Sequence, residues 1–406
     1  MSKAEIAEVE WVHVPCPLCG ADEADPIYER DHETGSSLGR LHKVDVLCRS
    51  CSFMYTSPRP SAADMGRYYR EAIGASGSIF HSLEPGSRLA GLIRERVRFM
   101  ESTIQAELGT GSGRMMDLGC ASGDLLAAFT LPGWRKQGLD PSPSVAEFAA
   151  RRGLDLVQGE IETAELEGEA FDAVSCISAL EHVWDMPLAL GRIAEALRPG
   201  GLAFMEVPDS TRPIAQIAEF YSFEHLSHFT RSTLLRALGQ AGLEPVAWDE
   251  SVGIPNLRVC ARRCPEGLRL ARDHSEVEDR QELVSAIDRY RRERGRVEAA
   301  LVERLEDRVA QWERRSARVA LYGAGMHTRF LMEIFDLGPS VACMLDSDPA
   351  KAGSSFLGWR VHAPDELPAL ELDAILISTQ AFEQEVYDGL QPAARKHGIE
   401  VVRCYG

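Results

Sequence analysis

An apolar segment that runs directly into a glycine-bearing turn is the feature that most restricts the fold of this chain. Residues 114–123 read RMMDLGCASG, and a helical pattern follows from Asp124 to Phe129. A strand, a tight turn and a helix in this order are typical of a nucleotide-binding unit in a parallel α/β sheet. Strands and helices go on alternating through Asp249, which predicts a parallel α/β domain here.

The turn and the strand ends supply candidate ligand-binding residues. Small residues at Gly119, Ala121 and Gly123 let the backbone approach a ligand closely, and the helix N-terminus adds a favourable dipole. Asp140, followed by Pro141, ends the second strand, where a carboxylate can accept hydrogen bonds from two ribose hydroxyls.

The third strand is followed by Glu160 and Ile161, where Glu160 and a neighbouring backbone group are placed to bind an adenine edge. Four segments then occur in a fixed order: DLGCASG at 117–123, GLD at 138–140, FDAVSCISALEHV at 171–183 and LRPGG at 197–201. Together they resemble the class I S-adenosylmethionine-dependent methyltransferases over about residues 110–250. An NAD-type Rossmann domain is disfavoured, because LEHV and LRPGG have no place in its fingerprint.

This resemblance implies S-adenosyl-L-methionine as the cofactor. It implies that Asp117 orients the methionine end and Asp140 the ribose, while residues 178–182, including Ser178, Leu180 and His182, line the pocket floor. His182 and its neighbour Glu181 are also candidates for a catalytic part, and capping and packing of the local helix is the alternative role for both. The family most often has glycine at the position of Ala121, and alanine is tolerated there if its φ is negative.

A segment rich in titratable groups follows the fifth strand. Residues 221–230 read YSFEHLSHFT. Because methyl transfer to a protonated nucleophile needs a positioned base, we expect His225 to be the general base. Glu224 and Tyr221 are expected to orient it or to stabilise an oxyanion. The alternative is a simple helix start, with Ser227 or Thr230 as N-cap.

Two CxxC pairs predict a metal site near the N-terminus. Cys16 and Cys19 are separated from Cys48 and Cys51 by 28 residues. Four thiolates suit tetrahedral Zn²⁺ and leave no open position, so we expect a structural zinc. The start, MSKAEIAEVEWVHV, has no basic region followed by an apolar run, so we expect a cytoplasmic protein in a reducing compartment.

The chain divides into four predicted regions: a zinc-binding module (1–60), the methyltransferase domain (61–265), a helical connector (266–317) and a C-terminal Rossmann-like α/β domain (318–406). The connector is expected to be one long amphipathic helix, or two helices broken near Gly295. The C-terminal domain begins with a strand and a GAG turn at 323–325. That turn is expected either to hold a substrate diphosphate or only to close the active-site cleft.

This architecture resembles the zinc-containing deoxysugar C-methyltransferases. The resemblance implies C-methylation of a nucleotide-linked keto sugar, beside the ketone, with a nucleotide sugar as small-molecule partner; an O- or N-acceptor remains the alternative. A net charge of −18 disfavours nucleic acid and hence an RNA methyltransferase. No stretch reaches the roughly 18 apolar residues of a membrane span. A cofactor-binding scaffold and an oxidoreductase are the remaining alternatives, and the oligomeric state stays open.

Overall fold

The fold is that of a computed structural model, which describes residues 8–34, 36–73, 88–109, 111–142, 153–215, 219–265, 276–349, 351–379 and 382–405. Within these ranges, no helix combines the length and apolar character needed to cross a membrane.

Short strands form the N-terminal region. They are β1 (Trp11–Val12), β2 (Ala24–Glu33), β3 (Arg40–Cys48), β4 (Met54–Thr56) and β5 (Arg59–Pro60). β1 pairs with β5, while β2, β3 and β4 form an antiparallel sheet. The helix α1 (Ala62–Tyr68) follows, with Ser61 as its N-cap, and one π-helical turn (Tyr69–Ile73) extends it.

A seven-stranded sheet forms the centre of the molecule. Its strands are β6 (Gly113–Leu118), β7 (Trp134–Asp140), β8 (Asp155–Gln158), β9 (Phe171–Ile177), β10 (Leu197–Pro208), β12 (Leu243–Trp248) and β13 (Asn256–Arg263). The order is β12-β13-β10-β9-β6-β7-β8. The five strands from β10 to β8 are parallel, and β13 and β12 add antiparallel pairs at one edge. The predicted α/β fold is confirmed, with a mixed rather than a purely parallel sheet.

Helices cover this sheet. They are α2 (Arg88–Leu108), α3 (Asp124–Ala128), α4 (Met186–Ala196) and α5 (Arg231–Gln240), with a 3₁₀ turn at Leu180–His182. The side chain of Asp185 caps α4 by accepting from the Leu188 N–H. Thr230 caps α5 in a capping box with Thr233, so the helix start considered in the sequence analysis is present.

A two-residue strand, β11 (Ser227–His228), joins the N-terminal sheet to the central domain. β11 pairs with β4, and the sheet order is β11-β4-β3-β2. The N-terminal sheet therefore extends beyond the predicted boundary at residue 60. The two regions also share one core, in which Cys16 and Cys48 pack with Leu180 and Phe229.

The connector is one helix, α6 (Glu276–Arg314), of 39 residues. It is not broken at Gly295, because helical backbone continues through that position. Its first half buries three side chains against the N-terminal sheet, Leu283, Ile287 and Tyr290. Its second half packs against the C-terminal domain through Leu301, Leu305, Val309 and Trp312. The helix thus links both ends of the molecule by apolar contacts.

The C-terminal domain is a second α/β sheet. Its elements are β14 (Val319–Tyr322), α7 (Met326–Ile334), β15 (Val341–Leu345), β16 (Ser355–Phe356), β17 (Trp359–His362), a 3₁₀ helix (Pro364–Ala369), β18 (Ala374–Ile377), α8 (Glu383–His397) and β19 (Glu400–Arg403). The order is β16-β17-β15-β14-β18-β19, parallel except for the β16–β17 pair. This arrangement agrees with the expected Rossmann-like pattern of strands and helices.

Candidate active site and cysteine cluster

The glycine-bearing turn after β6 is shaped by two close approaches. Gly119 has φ +72°, and a Cβ there would lie 2.6 Å from the Cβ of Ala179. Gly123 has φ +74°, and its Cβ would lie 2.5 Å from Leu154. Both the left-handed backbone and the lack of space require glycine. At both positions the missing side chain therefore leaves room for a neighbouring residue of the protein. It also allows a ligand to approach the backbone.

Ala121 departs from the expectation that its φ would be negative. Its φ is +45°, in the left-handed region that costs an alanine about 1 kcal/mol or more. The conformation brings its N–H to 2.9 Å from Oδ2 of Asp140. The turn therefore keeps a strained alanine where glycine would be relaxed.

Asp140 is held at the end of β7 by backbone donors. Its Oδ2 accepts from Ala121, and its Oδ1 accepts from the Ser142 N–H at 2.9 Å. Burial raises the pKa of this carboxyl. Each oxygen keeps a further lone pair, so Asp140 can still accept from ribose hydroxyls as predicted.

Asp117, the fifth residue of the six-residue strand β6, is a buried acid. It is 3% exposed and accepts a hydrogen bond from Ser175 Oγ at 2.6 Å. Burial raises its pKa to about 7, because a low-dielectric setting disfavours the charged form. Its predicted role at the methionine end of the cofactor stays a prediction.

The other predicted cofactor residues differ in exposure. Ile161 and Leu180 are buried in the central core, and Pro141 is exposed. The backbone N–H of Ser178 donates to the Glu206 carbonyl at 2.8 Å. The predicted cofactor contacts of Ile161, Leu180, Pro141 and Ser178 stay predictions.

Glu160 lies beside helix α1. Its Oε1 would be 3.4 Å from a Cβ placed on Gly66, and its carbonyl accepts from the Thr163 and Ala164 N–H groups. The carboxylate thus faces α1, a helix to which the sequence analysis gave no role. Its predicted contact with adenine stays a prediction.

His225, the predicted general base, lies close to the residues that follow β9. The Leu226 N–H donates to the Glu181 carbonyl at 2.8 Å, which joins the 221–230 segment to the 3₁₀ turn. The rings of His182 and His225 lie 4.9 Å apart. A carboxylate oxygen of Glu181 and one nitrogen of each histidine all lie within 4.8 Å of one another. The fold therefore brings His182 and His225 together, as the candidate site requires.

Backbone carbonyls fix the tautomers of both histidines. Nδ1 of His225 is 3.1 Å from the Phe220 carbonyl, and Nδ1 of His182 is 3.2 Å from the Glu224 carbonyl. Since a carbonyl only accepts, Nδ1 carries the proton and Nε2 has the lone pair. Burial lowers the pKa of His225 well below its usual range, and it also lowers that of His182. Both imidazoles are therefore neutral.

Burial raises the pKa of Glu181, whereas it lowers the pKa of the two histidines. This side chain is 1% exposed, and desolvation raises its pKa to about 8. Its Oε2 lacks a hydrogen-bond partner in the part of the chain that the structure describes. A catalytic part for Glu181 was weighed equally with capping and packing of the local helix, and its place beside His182 in LEHV was the signal for it.

Tyr221 and Glu224 do not hold the His225 ring. The Tyr221 hydroxyl donates to the Ser210 carbonyl at 3.3 Å, and its ring packs at 5.2 Å from Tyr290. Glu224 instead accepts from the Tyr68 hydroxyl at 3.3 Å. Among the described residues, the contact that orients the His225 ring is the Phe220 carbonyl, and the alternative role of Tyr221 and Glu224 in stabilising an oxyanion stays a prediction.

A buried charged network beneath the segment was missed in the sequence. Lys43 Nζ donates to Asp45 at 2.9 Å and to the Ser222 carbonyl at 2.9 Å. Asp45 Oδ1 lies 3.0 Å from His228 Nε2 and accepts from Thr56 Oγ1 at 2.7 Å. The available signal was a lysine and an aspartate two apart within the apolar strand β3, which places both on one face.

The four predicted metal ligands converge. The Sγ atoms of Cys16 and Cys51 are 3.5 Å apart, those of Cys19 and Cys48 are 3.6 Å apart, and all four lie within 4.8 Å. Sulfurs around a tetrahedral zinc lie about 3.8 Å apart, since Zn–S bonds are about 2.3 Å. The donor set and its spacing therefore fit one Zn²⁺.

The C-terminal turn is closed by its own side chains. The Ala324 N–H donates to Asp346 at 2.8 Å. Lys351, 6% exposed, donates to the Ala324 carbonyl at 2.9 Å and to Asp346 at 3.0 Å. Asp346 thus has a buried cationic partner within the domain.

Two segments of the chain match families of known proteins. Residues 91–247 match the family model described as "Methyltransferase domain". Residues 91–247 thus carry a methyltransferase domain. The expected enzyme class is thereby confirmed for the domain, and residues 315–394 separately match a family described as "C2185-like, N-terminal".

Relatives of the methyltransferase domain are similar over part of their length. The chain is 39% identical over 94 residues to a ubiquinone biosynthesis O-methyltransferase of Bradyrhizobium sp. (strain ORS 278), covering 22% of this chain and 37% of that protein. It is 31% identical over 147 residues to the same-named protein of Chelativorans sp. (strain BNC1), covering 32% and 58%. The chain thus spans about half, or less, of these relatives.

A solved structure is also similar. It is an S-adenosylmethionine-bound amino pentose methyltransferase from Micromonospora echinaspora, involved in calicheamicin biosynthesis, with 20% identity and a TM-score of 0.37. The match covers 45% of this chain and 100% of that chain.

Proposed function

We propose that this protein transfers a methyl group from S-adenosyl-L-methionine to a small molecule, with His225 as the general base. The observation that carries the proposal is the hydrogen bond between His225 Nδ1 and the Phe220 carbonyl at 3.1 Å. It leaves the Nε2 lone pair free beside the residues that end β9. A neutral imidazole in this position can accept a proton from a bound acceptor.

The cofactor would bind along the carboxyl ends of β6, β7 and β8. The turn at 119–123 would face the methionine portion, Asp140 the ribose hydroxyls, and Glu160 the adenine. This placement follows the rule that ligands bind outside the carboxyl ends of parallel strands. His225 approaches the same edge from the segment after β10.

The proposed acceptor is a nucleotide-linked keto sugar, methylated at the carbon beside the ketone. His225 Nε2 takes the α-proton, and the C–H electron pair forms the enolate. The enolate carbon then attacks the methyl carbon, whose bond electrons return to sulfur and give neutral S-adenosylhomocysteine. The imidazolium afterwards releases its proton to solvent, so the cycle balances without a redox partner.

The cysteine cluster is proposed to hold a structural Zn²⁺. Cys48 ends β3 and Cys51 precedes β4, so an ion there would fix β3 against β4, the strand that pairs with β11. Zinc would supply folding energy to a small region. It would thereby stabilise the backbone of Ser227 and His228, two and three residues from the base.

Methyl transfer is tested with a panel of nucleotide-linked keto sugars and phenols. Products are identified by mass spectrometry after incubation with methyl-deuterated S-adenosylmethionine. We expect one keto sugar to gain a deuterated methyl group, and His225→Asn to lower the rate about 10²- to 10⁴-fold. The matched control is His397→Gln at an exposed site on α8, which should keep the wild-type rate. An unchanged rate in His225→Asn would overturn the base role.

O-Methylation is the second candidate. It is favoured by the name of the ubiquinone biosynthesis O-methyltransferases, whose identity to this chain reaches 39% over 94 residues. In that reaction His225 would take a hydroxyl proton, and oxygen would attack the methyl carbon. Transfer to the phenols of the panel, with none to any keto sugar, would select this candidate.

A further inference from the structure

Three lone-pair donors, one of them on the proposed base, lie close together. They are a carboxylate oxygen of Glu181 and one ring nitrogen each of His182 and His225. The three residues offer ligand atoms that all lie within 4.8 Å of one another. Both Nδ1 atoms lie within 3.2 Å of backbone carbonyls, so neither Nε2 carries a proton.

We propose that Glu181, His182 and His225 form a second metal site, which binds a transition-metal dication of the Zn²⁺ type. Four sulfurs would surround the ion in the cysteine cluster, whereas here one carboxylate oxygen and two imidazole nitrogens would bind it. The proposal concerns metal binding and does not depend on the identity of the methyl acceptor.

The state of Glu181 supports a cation in this position. Its side chain is 1% exposed, yet Oε2 has no hydrogen-bond partner among the described residues. Its Oε1 lies 3.8 Å from Nε2 of His182, with no donor hydrogen on that nitrogen. A buried acceptor without a donor is costly. One proton can bridge only two of the three acceptors, whereas one dication can satisfy all three.

The donor set also selects the type of ion. Imidazole nitrogen suits zinc, iron and nickel, while Mg²⁺ and Ca²⁺ prefer oxygen ligands alone. A histidine whose second nitrogen donates to a backbone carbonyl has the arrangement found in metal sites, where that bond fixes the ring. Three protein ligands leave one position open, in contrast to the cysteine cluster.

Metal binding and general-base catalysis exclude each other here. The lone pair of His225 Nε2 can bind a metal or accept a proton, but it cannot do both. Free Zn²⁺ is therefore expected to inhibit methyl transfer, and a chelator too weak to strip the four-cysteine site should restore it.

Metal counting tests the site directly. The full-length protein is dialysed against buffered free Zn²⁺, and bound zinc is measured by atomic emission. We expect about two zinc ions per wild-type chain and about one in Glu181→Gln, His182→Gln and His225→Gln. Calorimetric titration should show at least about tenfold weaker binding of the second ion in each variant. The exposed His397→Gln control should retain two.

Either of two results would overturn the proposal: one zinc per wild-type chain, or a second zinc that all three variants retain. Thermal unfolding by circular dichroism identifies any variant that fails to fold. The zinc content of the remaining variants then tests the proposal. Failure of the metal site is distinguishable from failure of the proposed function. A chain with one zinc can still lose methyl transfer in His225→Asn, and a chain with two zinc ions can be inactive on every acceptor.

Discussion

Lys43 and Ser222 are joined by a partly buried hydrogen bond of 2.9 Å, from the lysine ammonium to the serine carbonyl, across 179 residues of sequence. Lys43 lies on the strand that ends at Cys48, and Ser222 lies three residues before His225. The same lysine forms an ion pair with Asp45, which contacts His228 at 3.0 Å. The N-terminal sheet therefore positions the backbone of the proposed catalytic segment.

Replacing Lys43 by methionine should destabilise the protein. The change leaves Asp45, which is fully buried, without its cation, and breaking a buried pair costs about 3–5 kcal/mol in free energy of unfolding. Urea denaturation measures the difference. The matched control is Arg40→Met, which removes an exposed pair with Asp31 on neighbouring strands and should cost less than about 1 kcal/mol. Equal costs would contradict the positioning role.

Ala121→Gly should stabilise the protein by about 1 kcal/mol. Glycine accepts φ +45° without the steric cost that alanine pays there. The same substitution at Ala300, exposed within α6, should instead destabilise by about 1 kcal/mol, because glycine is a poor helix former. Chemical denaturation of both variants checks the opposite signs. A similar decrease in the free energy of unfolding in both variants would show that the turn at Ala121 is not strained.

Cofactor binding should weaken as the pH falls through about 7. In the free protein, burial raises the pKa of Asp117 to about 7, and the cationic methionine end of the cofactor favours the carboxylate. Below that pKa the carboxyl is protonated, so the affinity should fall by up to tenfold per pH unit. Above it the affinity should level off.

Calorimetric titration with S-adenosylhomocysteine between pH 5.5 and 8.5 measures this dependence, since the product keeps the same ammonium group. Asp117→Asn should bind weakly at every pH and lose the slope. A wild-type affinity that is constant over the range would show that Asp117 does not exchange its proton on binding.

Removal of zinc from the cysteine cluster should lower the melting temperature. The ion is proposed to fix the β3–β4 turn, so Cys16→Ser should unfold at lower temperature and bind one fewer zinc ion. Cys264→Ser is the matched control, because that buried thiol lies outside the cluster. Differential scanning calorimetry with metal analysis compares them. A Cys16→Ser protein with the wild-type zinc content would contradict the assignment.

Local patterns in the sequence were sufficient for the central sheet and the cysteine cluster. The strand before Gly119 and the carboxylate at Asp140 follow from short-range periodicity and turn chemistry. The two CxxC pairs needed only to be brought together, and the pairing of β2 with β3, which sets Ala24 opposite Cys48, does so. Patterns among residues close in sequence were therefore enough to predict the strands of the central sheet and the members of the cysteine cluster.

Contacts between distant segments could not be predicted in the same way. The pairing of Ser227 with Tyr55 joins two segments whose sequences share no pattern that predicts the contact. The roles of Lys43 and Asp45 therefore could not be predicted from the sequence. The Tyr221 hydroxyl points to Ser210 because the ring packs on α6, which sequence spacing does not encode. The positive φ of Ala121 likewise depends on its bond to Asp140.

Proton exchange at the acceptor tests the central claim most directly. The protein is incubated in D₂O with S-adenosylhomocysteine and the nucleotide-linked keto sugar from the panel, and deuterium at the carbon beside the ketone is followed by NMR. We predict enzyme-dependent exchange that His225→Asn abolishes and His397→Gln preserves. Exchange at the wild-type rate in His225→Asn, or none in the wild-type enzyme, would contradict the account.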